Sequence, residues 1–342
     1  MHEGRFTGRT LAQRLSAPAQ LRLPSPHLGL SWRNLRQADL DEVRDLLDES
    51  SDARAIDEFR ILRSIGALLD GTAGESTDAL GGWDPAGTLQ AIGLVNLNSN
   101  PLTEVHADVL GLTRPQWRGR GIGRALLEWQ DGRARQLILQ ADHDLPASIR
   151  SRVRSDNLGR RRLLAAGGFS PQWRWTFMDL ELAESHRELA MHATQRLAAR
   201  GMFLEVFEDS HSEEVRRLHN RVSMVMERRQ PLSTEQWRSR LAGSNLKTSS
   251  ILTDGTNIVG YLLSASVAEG DSLYVTFYGI DRGFRNQGNG TDLILSHIDR
   301  ALDRGFTRLS VPIVSEGALE TNFLKKYGFF EADSQILYTI DI

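Results

Sequence analysis

Two glycine loops, residues 118–123 and 285–290, repeat after 167 positions (285 − 118) in this chain of 342 residues. Each loop follows a run with the alternation of a half-buried strand, residues 104–112 and 272–280. Each loop also precedes a run whose apolar residues recur at helical spacing. Because a repeat of 167 residues matches the size of one ordinary domain, the sequence predicts two tandem domains of the same fold.

Both loops have the features of an anion site at a strand-to-helix junction. The first turn of a helix leaves backbone N–H groups without partners, and the helix dipole adds positive potential there. Four glycines let the backbone approach a ligand closely: Gly121, Gly123, Gly288 and Gly290. Arg118, Arg120 and Arg124 add charge suited to phosphate oxygens around the first loop. We expect a ligand that carries a pyrophosphate.

Two better-known phosphate motifs do not fit these loops. A Walker loop ends in Gly-Lys-Ser/Thr, whereas the loops here end in Gly-Arg-Ala and Gly-Thr-Asp. A dinucleotide fingerprint needs Gly-x-Gly-x-x-Gly, and the glycines at 119, 121 and 123 have a different spacing. The sequence therefore disfavours a P-loop NTPase and a Rossmann domain. A plain strand-to-helix turn is the alternative for either loop alone.

The run over residues 113–123 resembles the acetyl-CoA signature of the GCN5-related N-acetyltransferases, the GNAT family. The core of that signature is Arg/Gln-x-x-Gly-x-Gly/Ala after a short strand. The run over residues 280–291 is similar, and both runs match the core in full. The chain therefore resembles a GNAT protein in each of its halves.

Further segments resemble the same family. Asn157 and the Gly-Phe pair at 168–169 are similar to its downstream motif, whereas Gly317 stands where the second Asn would fall. Residues 218–221 and 234–238 resemble the opening helices of tandem acetyltransferases of the mycothiol synthase type.

The resemblance implies an α+β fold with two tandem GNAT-like domains, each a mixed, mostly antiparallel sheet flanked by helices. The order of strand-like and helix-like runs in each half agrees with this fold. We expect an N-terminal arm over residues 1–28, a first domain over 29–183, a helical connector over 184–201 and a second domain over 202–342.

The resemblance also implies acetyl-CoA as co-substrate, with its pyrophosphate on the loops and its pantetheine arm along the edge of each preceding strand. The residues expected to bind it are Leu112, Thr113, Arg118, Gly119, Arg120, Gly121, Ile122, Gly123, Arg124, Asn157, Ile280, Arg285, Asn286, Gln287, Gly288, Asn289, Gly290 and Thr291.

Acyl transfer to an amine needs a neutral amine, so a base or a water chain must take its proton. Glu104, His106 and Asp108 share one face of the strand before the first loop by period-two alternation, and Asp108 is the preferred candidate base. An exposed polar strand face is the alternative interpretation. The second half lacks this trio, and nothing in the spacing selects among Glu205, Glu208 and Glu227.

Composition narrows the class of function. The formal net charge of −3 does not favour nucleic acid, and the chain has no Cys and nine scattered His, so no metal is expected. No run is long and apolar enough to predict a membrane span. The resemblance implies an enzyme that transfers an acetyl group directly to a small-molecule amine, and we expect it to be cytoplasmic and a monomer or homodimer. The alternative is an acyl-CoA-binding regulatory or structural protein with one or both domains inactive.

Overall fold

The computed structural model describes residues 10–50, 55–71, 77–98, 101–141, 145–226, 231–266, 270–314 and 318–342. The chain divides into two compact units. Unit 1 comprises residues 1–173 and 335–342, and unit 2 comprises residues 174–334.

The first half of the chain contains five helices and six strands within its described residues. The helices are α1 (Leu11–Leu15), α2 (Leu40–Ser50), α3 (Ala55–Leu69), α4 (Ile122–Gln140) and α5 (Leu158–Ala166). The strands are β1 (Ser31–Asn34), β2 (Thr77–Trp83), β3 (Leu89–Leu97), β4 (Val105–Thr113), β5 (Ala147–Arg154) and β6 (Ser170–Glu181).

The second half repeats this order over the residues that the structure describes. Its helices are α6 (His186–Ala199), α7 (Ser212–Met226), α8 (Thr234–Leu241), α9 (Asn289–Asp303) and α10 (Ala318–Lys325). Its strands are β7 (Phe203–Val206), β8 (Ser250–Thr253), β9 (Ile258–Ser266), β10 (Ser272–Ile280), β11 (Arg308–Val314) and β12 (Phe330–Asp341).

Each unit has a sheet with the same strand order. In unit 1 the order is β1-β2-β3-β4-β5-β12, and in unit 2 it is β7-β8-β9-β10-β11-β6. The neighbours are antiparallel except for one parallel pair in each unit, β4 with β5 and β10 with β11. The predicted fold, with two mixed and mostly antiparallel sheets flanked by helices, is confirmed.

The two halves of the chain exchange their last strands: β6 of the first half belongs to the sheet of unit 2, and β12 of the second half belongs to the sheet of unit 1. In unit 1, Asp341 of β12 pairs with Ser148 of β5, and in unit 2, Val314 of β11 pairs with Trp175 of β6. The compact units therefore differ from the expected boundaries at residues 183 and 202. Residues 174–183 belong to unit 2 and residues 335–342 to unit 1, in agreement with the pairing of β6 with β11 and of β12 with β5.

The described part of the expected arm, residues 10–28, and the expected connector are packed elements of the two units. Leu11 and Leu15 of α1 are buried, and the Arg135 Nη1 atom donates a hydrogen bond of 2.6 Å to the Leu15 carbonyl. In unit 2, α6 buries Ala190, Ala193 and Leu197 in the same core as the apolar face of α9. The described part of the arm thus covers α4 as α6 covers α9.

Apolar side chains cover both faces of each sheet. In unit 1, α4 packs on one face and α2 and α3 on the other, and in unit 2, α9 and α6 face one side while α7 and α8 face the other. This burial supplies most of the free energy of folding, at about 25 cal/mol per Å² of apolar surface. The glycine loops begin α4 and α9, and so lie at one end of each layered core.

Candidate functional site

The two glycine loops have the same backbone path. Gly121 and Gly288 precede α4 and α9 with φ of 88° and 81°, a left-handed conformation that favours glycine. Two residues earlier, Gly119 has a φ of 79° and Asn286 has a φ of 61°. Asn tolerates this region better than other side chains, which explains why the second loop keeps its shape without that glycine. Neither helix start is capped by a side chain, so first-turn amides face each loop.

The arginine that opens each loop turns back to the preceding strand. The Arg118 Nε atom donates to the Thr113 carbonyl at 3.1 Å, and the Arg285 Nε atom donates to the Ile280 carbonyl at 2.8 Å. Arg120 also lies over the ring of Trp117, 4.4 Å from its centroid, and its Nη2 atom donates to the Gln116 carbonyl at 3.3 Å. These contacts fix the shape of the loops. Phosphate binding by the three arginines stays a prediction.

In unit 2 the parallel strands diverge next to the loop. The paired residues of β10 and β11 run from Ser272 with Arg308 to Tyr274 with Ser310. Directly afterwards, β10 has a bulge at Thr276, because Val275 and Phe277 pair with consecutive residues of β9. A bulge of this kind bends a strand and ends regular pairing.

Every second amide of β10 beyond this bulge points away from β9. The Asp281 N–H group donates to the Val259 carbonyl at 2.8 Å, and the amides of an antiparallel strand alternate in direction. The amides of Tyr278 and Ile280 are therefore directed toward the gap where pairing with β11 has ended. An extended ligand can bind there as an additional strand would.

In unit 1 the corresponding gap is filled by side chains. Pairing of β4 with β5 ends at Asp108 with Arg150, and β4 has no register shift against β3. Beyond that point the Ser151 Oγ atom donates to the Val109 carbonyl at 3.0 Å. The guanidinium of Arg160 donates to the Gly111 carbonyl at 3.0 Å and to the Ser151 Oγ atom at 3.4 Å. Arg160 therefore bridges the two diverging strands.

Asn157, predicted to contact the cofactor, caps α5 in the structure. Its Oδ1 atom accepts a hydrogen bond of 3.0 Å from the Arg160 N–H group. An Asn in this position stabilises the start of a helix by about 1 kcal/mol. The contact also places Arg160, in the first turn of α5, beside β4.

The three predicted base candidates have different surroundings. β4 begins at Val105, so Glu104 precedes the strand and forms an ion pair of 2.6 Å with Arg150 and a short hydrogen bond with Ser148. His106 is half-buried, whereas Asp108 is exposed, and both lie on β4. Glu104 is thus held by contacts with β5, and its role as a base stays a prediction. Of the three, Asp108 has the exposure a base needs.

Of the acidic candidates of unit 2, Glu205 lies away from the gap. Glu205 is on β7, three strands from β10 and thus about 14 Å away, and it accepts a hydrogen bond from Thr253. Glu208 precedes the short turn Asp209–His211. Glu227 lies outside the described residues.

Sequence reasoning missed a buried polar group under β10. The His219 Nδ1 atom lies 2.7 Å from the Tyr261 hydroxyl, and both side chains are buried between α7 and the sheet. The Tyr261 ring packs against Gly279, where a Cβ would lie 3.1 Å from the hydroxyl oxygen. The ring of Phe277 stands edge-on to His219 at a centroid distance of 5.0 Å. No periodic pattern in the sequence predicts such a pair, because a His on the apolar face of a helix cannot be distinguished from an ordinary core residue.

The comparison with family models identifies the second half. Residues 212–329 match the model described as "Acetyltransferase (GNAT) family". The chain contains a GNAT acetyltransferase domain. This domain includes the Gly288 loop, the bulged strand β10 and the buried His219. Acyl-CoA-dependent N-acetyltransfer is the general activity that a GNAT domain supports.

Solved structures with the same fold extend over both units. A GCN5-related N-acetyltransferase from Sphaerobacter thermophilus has a TM-score of 0.67 at 17% identity, covering 94% of this chain and 97% of its own. A tandem GNAT protein from the clavulanic acid biosynthesis pathway has a TM-score of 0.63 at 17% identity, covering 91% and 98%. N-myristoyltransferase of Saccharomyces cerevisiae, solved with myristoyl-CoA, has a TM-score of 0.59 at 11% identity, covering 98% and 82%.

These likenesses establish a tandem GNAT fold and do not single out the mycothiol synthase type. No protein with a curated description matches the sequence significantly. In the part of the chain that the structure describes, three or more His, Asp or Glu side chains are nowhere grouped as metal ligands. None of the described helices combines the length and apolarity needed to cross a membrane.

Proposed function

We propose that unit 2 transfers an acetyl group from acetyl-CoA directly to the amino group of a small molecule. The observation that carries the proposal is the gap between β10 and β11, which opens at the Thr276 bulge beside the Gly288 loop. The gap suits the extended pantetheine arm, and the loop suits the pyrophosphate. The match of residues 212–329 to the acetyltransferase family supports this assignment to unit 2.

Unit 1 is proposed to bind no donor. Arg160 and Ser151 occupy the gap between β4 and β5 with hydrogen bonds to the Gly111 and Val109 carbonyls. A pantetheine arm would have to displace a charged group from these bonds, at a cost of about 1.5–3 kcal/mol for each charged hydrogen bond lost. The expected stoichiometry is one acetyl-CoA per chain.

The proposed reaction is a single displacement. The lone pair of the amine attacks the thioester carbonyl, the C–S bond breaks, and CoA leaves as a thiolate while the nitrogen loses its proton. The chain contains no Cys, so no cysteine can carry the acetyl group between two half-reactions. A backbone amide of β10, such as that of Tyr278 or Ile280, can donate to the developing oxyanion. A water chain or an acceptor-side residue takes the proton.

The test measures CoA release from acetyl-CoA by the pure full-length chain with a panel of small amines, and donor binding by calorimetry. Turnover with at least one amine and a stoichiometry near one are expected. An Arg160→Ala variant should keep the same turnover. Loss of turnover in an Asp108→Asn variant would instead support the base predicted from the sequence. Two sites of similar affinity would contradict the assignment to unit 2.

The same assay also tests which acyl group is transferred and whether the protein only binds acyl-CoA. Because a similar fold binds myristoyl-CoA in N-myristoyltransferase, donors with longer acyl chains belong in the panel. Tight binding of acetyl-CoA without turnover for any amine would favour the acyl-CoA-binding regulatory or structural protein. The cytoplasmic location and the monomeric or homodimeric state stay predictions.

A further inference from the structure

Two arginines at the C-terminal end of α6, Arg196 and the C-cap residue Arg200, meet one buried carboxylate at the start of α9. The Arg196 Nη2 atom lies 2.5 Å from the Asp292 Oδ1 atom, and the Arg200 Nη2 atom lies 2.5 Å from the Oδ2 atom. The Asp292 side chain is only 5% exposed, and its hydrogen bond raises the pKa of Arg196 above the usual value. The Arg200 Nε atom also donates to the Asn289 Oδ1 atom at 2.9 Å. The guanidinium of Arg200 is thus held on two of its three nitrogens.

The third nitrogen of Arg200 is directed at the glycine loop. Its Nη1 atom lies 3.8 Å from the position that a Cβ would take on Gly288, the residue that precedes α9. Among the described residues, Nη1 has no hydrogen-bond partner. Two guanidinium groups face a single carboxylate, so the cluster keeps a net positive charge beside the loop. A phosphate oxygen is the acceptor that a fixed guanidinium nitrogen binds most strongly.

In unit 1, apolar residues take the positions equivalent to Arg200, Asn289 and Asp292. Leu28 lies three residues before β1, as Arg200 lies three residues before β7, and its Cδ2 atom lies 3.6 Å from the Cβ position on Gly121. Ile122 and Ala125 stand where the second copy has Asn289 and Asp292 (289 − 167 and 292 − 167). The fold therefore forms without the charges. The charged version occurs in unit 2, where the bulge at Thr276 interrupts the regular pairing of β10.

We propose that Arg200 determines the preference of unit 2 for a pyrophosphate-bearing donor, by donating from its guanidinium to the pyrophosphate of acyl-CoA. Asn289 and Asp292 are positioning residues that hold the guanidinium toward the Gly288 loop. The inference rests on the proposed function of unit 2. It adds a ligand from the residue that follows α6, outside the glycine motif.

Calorimetry of the full-length chain with CoA, 3′-dephospho-CoA and pantetheine tests the proposal. An Arg200→Gln variant is expected to bind CoA and 3′-dephospho-CoA about 10- to 100-fold more weakly, as for the loss of a charged hydrogen bond, and pantetheine unchanged. The matched control is Arg187→Gln, because Arg187 also joins α6 to α9 through Asp299 and Asp303 but faces solvent. This control should bind all three ligands like the parent.

The outcomes separate the two proposals. If the parent binds no CoA, the proposed function fails. If the parent binds CoA and Arg200→Gln binds CoA equally well, only the role of Arg200 is overturned. If Arg200→Gln loses affinity for CoA but not for 3′-dephospho-CoA, Arg200 contacts the 3′-phosphate instead, and the proposed contact with the pyrophosphate is also overturned. Should Arg200→Gln not fold, the triple variant Arg200→Leu, Asn289→Ile and Asp292→Ala reproduces the residues of unit 1 and decides the question by the same loss of affinity.

Discussion

At the scale of single residues, equivalent positions of the two halves have different surroundings. Gln130 and His297 are 167 residues apart (297 − 130), and both are buried. The Gln130 amide donates to the carbonyls of Leu94 and Leu110 at 3.0 and 2.5 Å. Neither ring nitrogen of His297 has a hydrogen-bond partner within the described residues. Burial, with a smaller contribution from Arg300, lowers the pKa of His297 to about 3.

The lowered pKa of His297 predicts acid sensitivity. The unfolded chain takes up a proton near pH 6.5 and the folded chain does not, so stability is complete above that pH and falls as the pH drops toward about 3. Between pH 7.5 and pH 5 the free energy of unfolding should fall by about 2 kcal/mol from this group. Urea titrations at both pH values measure the difference.

A His297→Leu variant should lose this pH-dependent contribution. At pH 7.5 it should equal or exceed the parent in stability, because an unsatisfied buried polar group costs about 1–3 kcal/mol. Exposed His192 supplies the control, since His192→Gln also removes one imidazole and leaves His297 in place. An undiminished fall in the Leu variant would mean that another group is responsible.

Gly288 has a left-handed backbone conformation and lies in the loop that is proposed to bind the pyrophosphate. In a Gly288→Ala variant the added Cβ would lie 3.8 Å from Arg200 and 4.0 Å from Asp292, so the cost comes from the φ of 81° and is about 1–2 kcal/mol. Gly305, beyond the other end of α9, has a φ of 76° and no atom within 4 Å of its Cβ position. Gly305→Ala should lose similar stability in thermal unfolding, while only Gly288→Ala should bind CoA more weakly. Equal CoA affinities of the two variants would contradict the role of the loop.

At the scale of elements, the bulge distinguishes β10 from β4. Deleting Thr276 would leave Val275 and Phe277 in register with Ser264 and Leu263, as in an ordinary ladder. The deletion is expected to keep the fold, seen as an unchanged circular dichroism spectrum, and to weaken CoA binding at least about tenfold, because β10 no longer bends from β11. A folded deletion variant with parental CoA affinity would show that the gap does not depend on the bulge.

The sequence could predict the elements because they depend on local patterns. Alternation marked β10 at its observed bounds, and the glycines marked the starts of α4 and α9. The bulge at Thr276 was not predictable, since it depends on pairing with β9. Arg160 lies outside the predicted site residues, and only the fold reveals that its guanidinium donates to the Gly111 carbonyl.

At the scale of the whole molecule, the exchanged strands define which fragments can fold. Residues 174–334 contain every strand of the sheet of unit 2 up to β6, whereas the fragment 202–342 lacks β6 and leaves the edge of β11 unpaired. We expect the first fragment to unfold cooperatively and the second to lose cooperativity, because β6 supplies Met178 and Leu180 to the core of unit 2. Gel filtration and thermal unfolding of both fragments measure this. Equal behaviour would favour the boundaries expected from the sequence.

The exchange was beyond sequence reasoning for a physical reason. The sequences of β6 and β12 both alternate as strands do. Such a pattern determines which face of a strand is buried but not which strand it pairs with. The order of elements along the chain therefore suggested that each half closes its own sheet. The pairing of Asp341 with Ser148 joins residues almost two hundred positions apart (341 − 148 = 193).

This long-range pairing has a consequence for synthesis. Unit 2 is contiguous in sequence and can fold as soon as residue 334 has left the ribosome, but unit 1 needs residues 335–342. At about 5–20 residues per second, the half that is translated first waits roughly 10 to 30 s for its last strand. During that interval the edge of β5 is open, so nascent chains stalled before the end should depend on chaperones more than finished ones do.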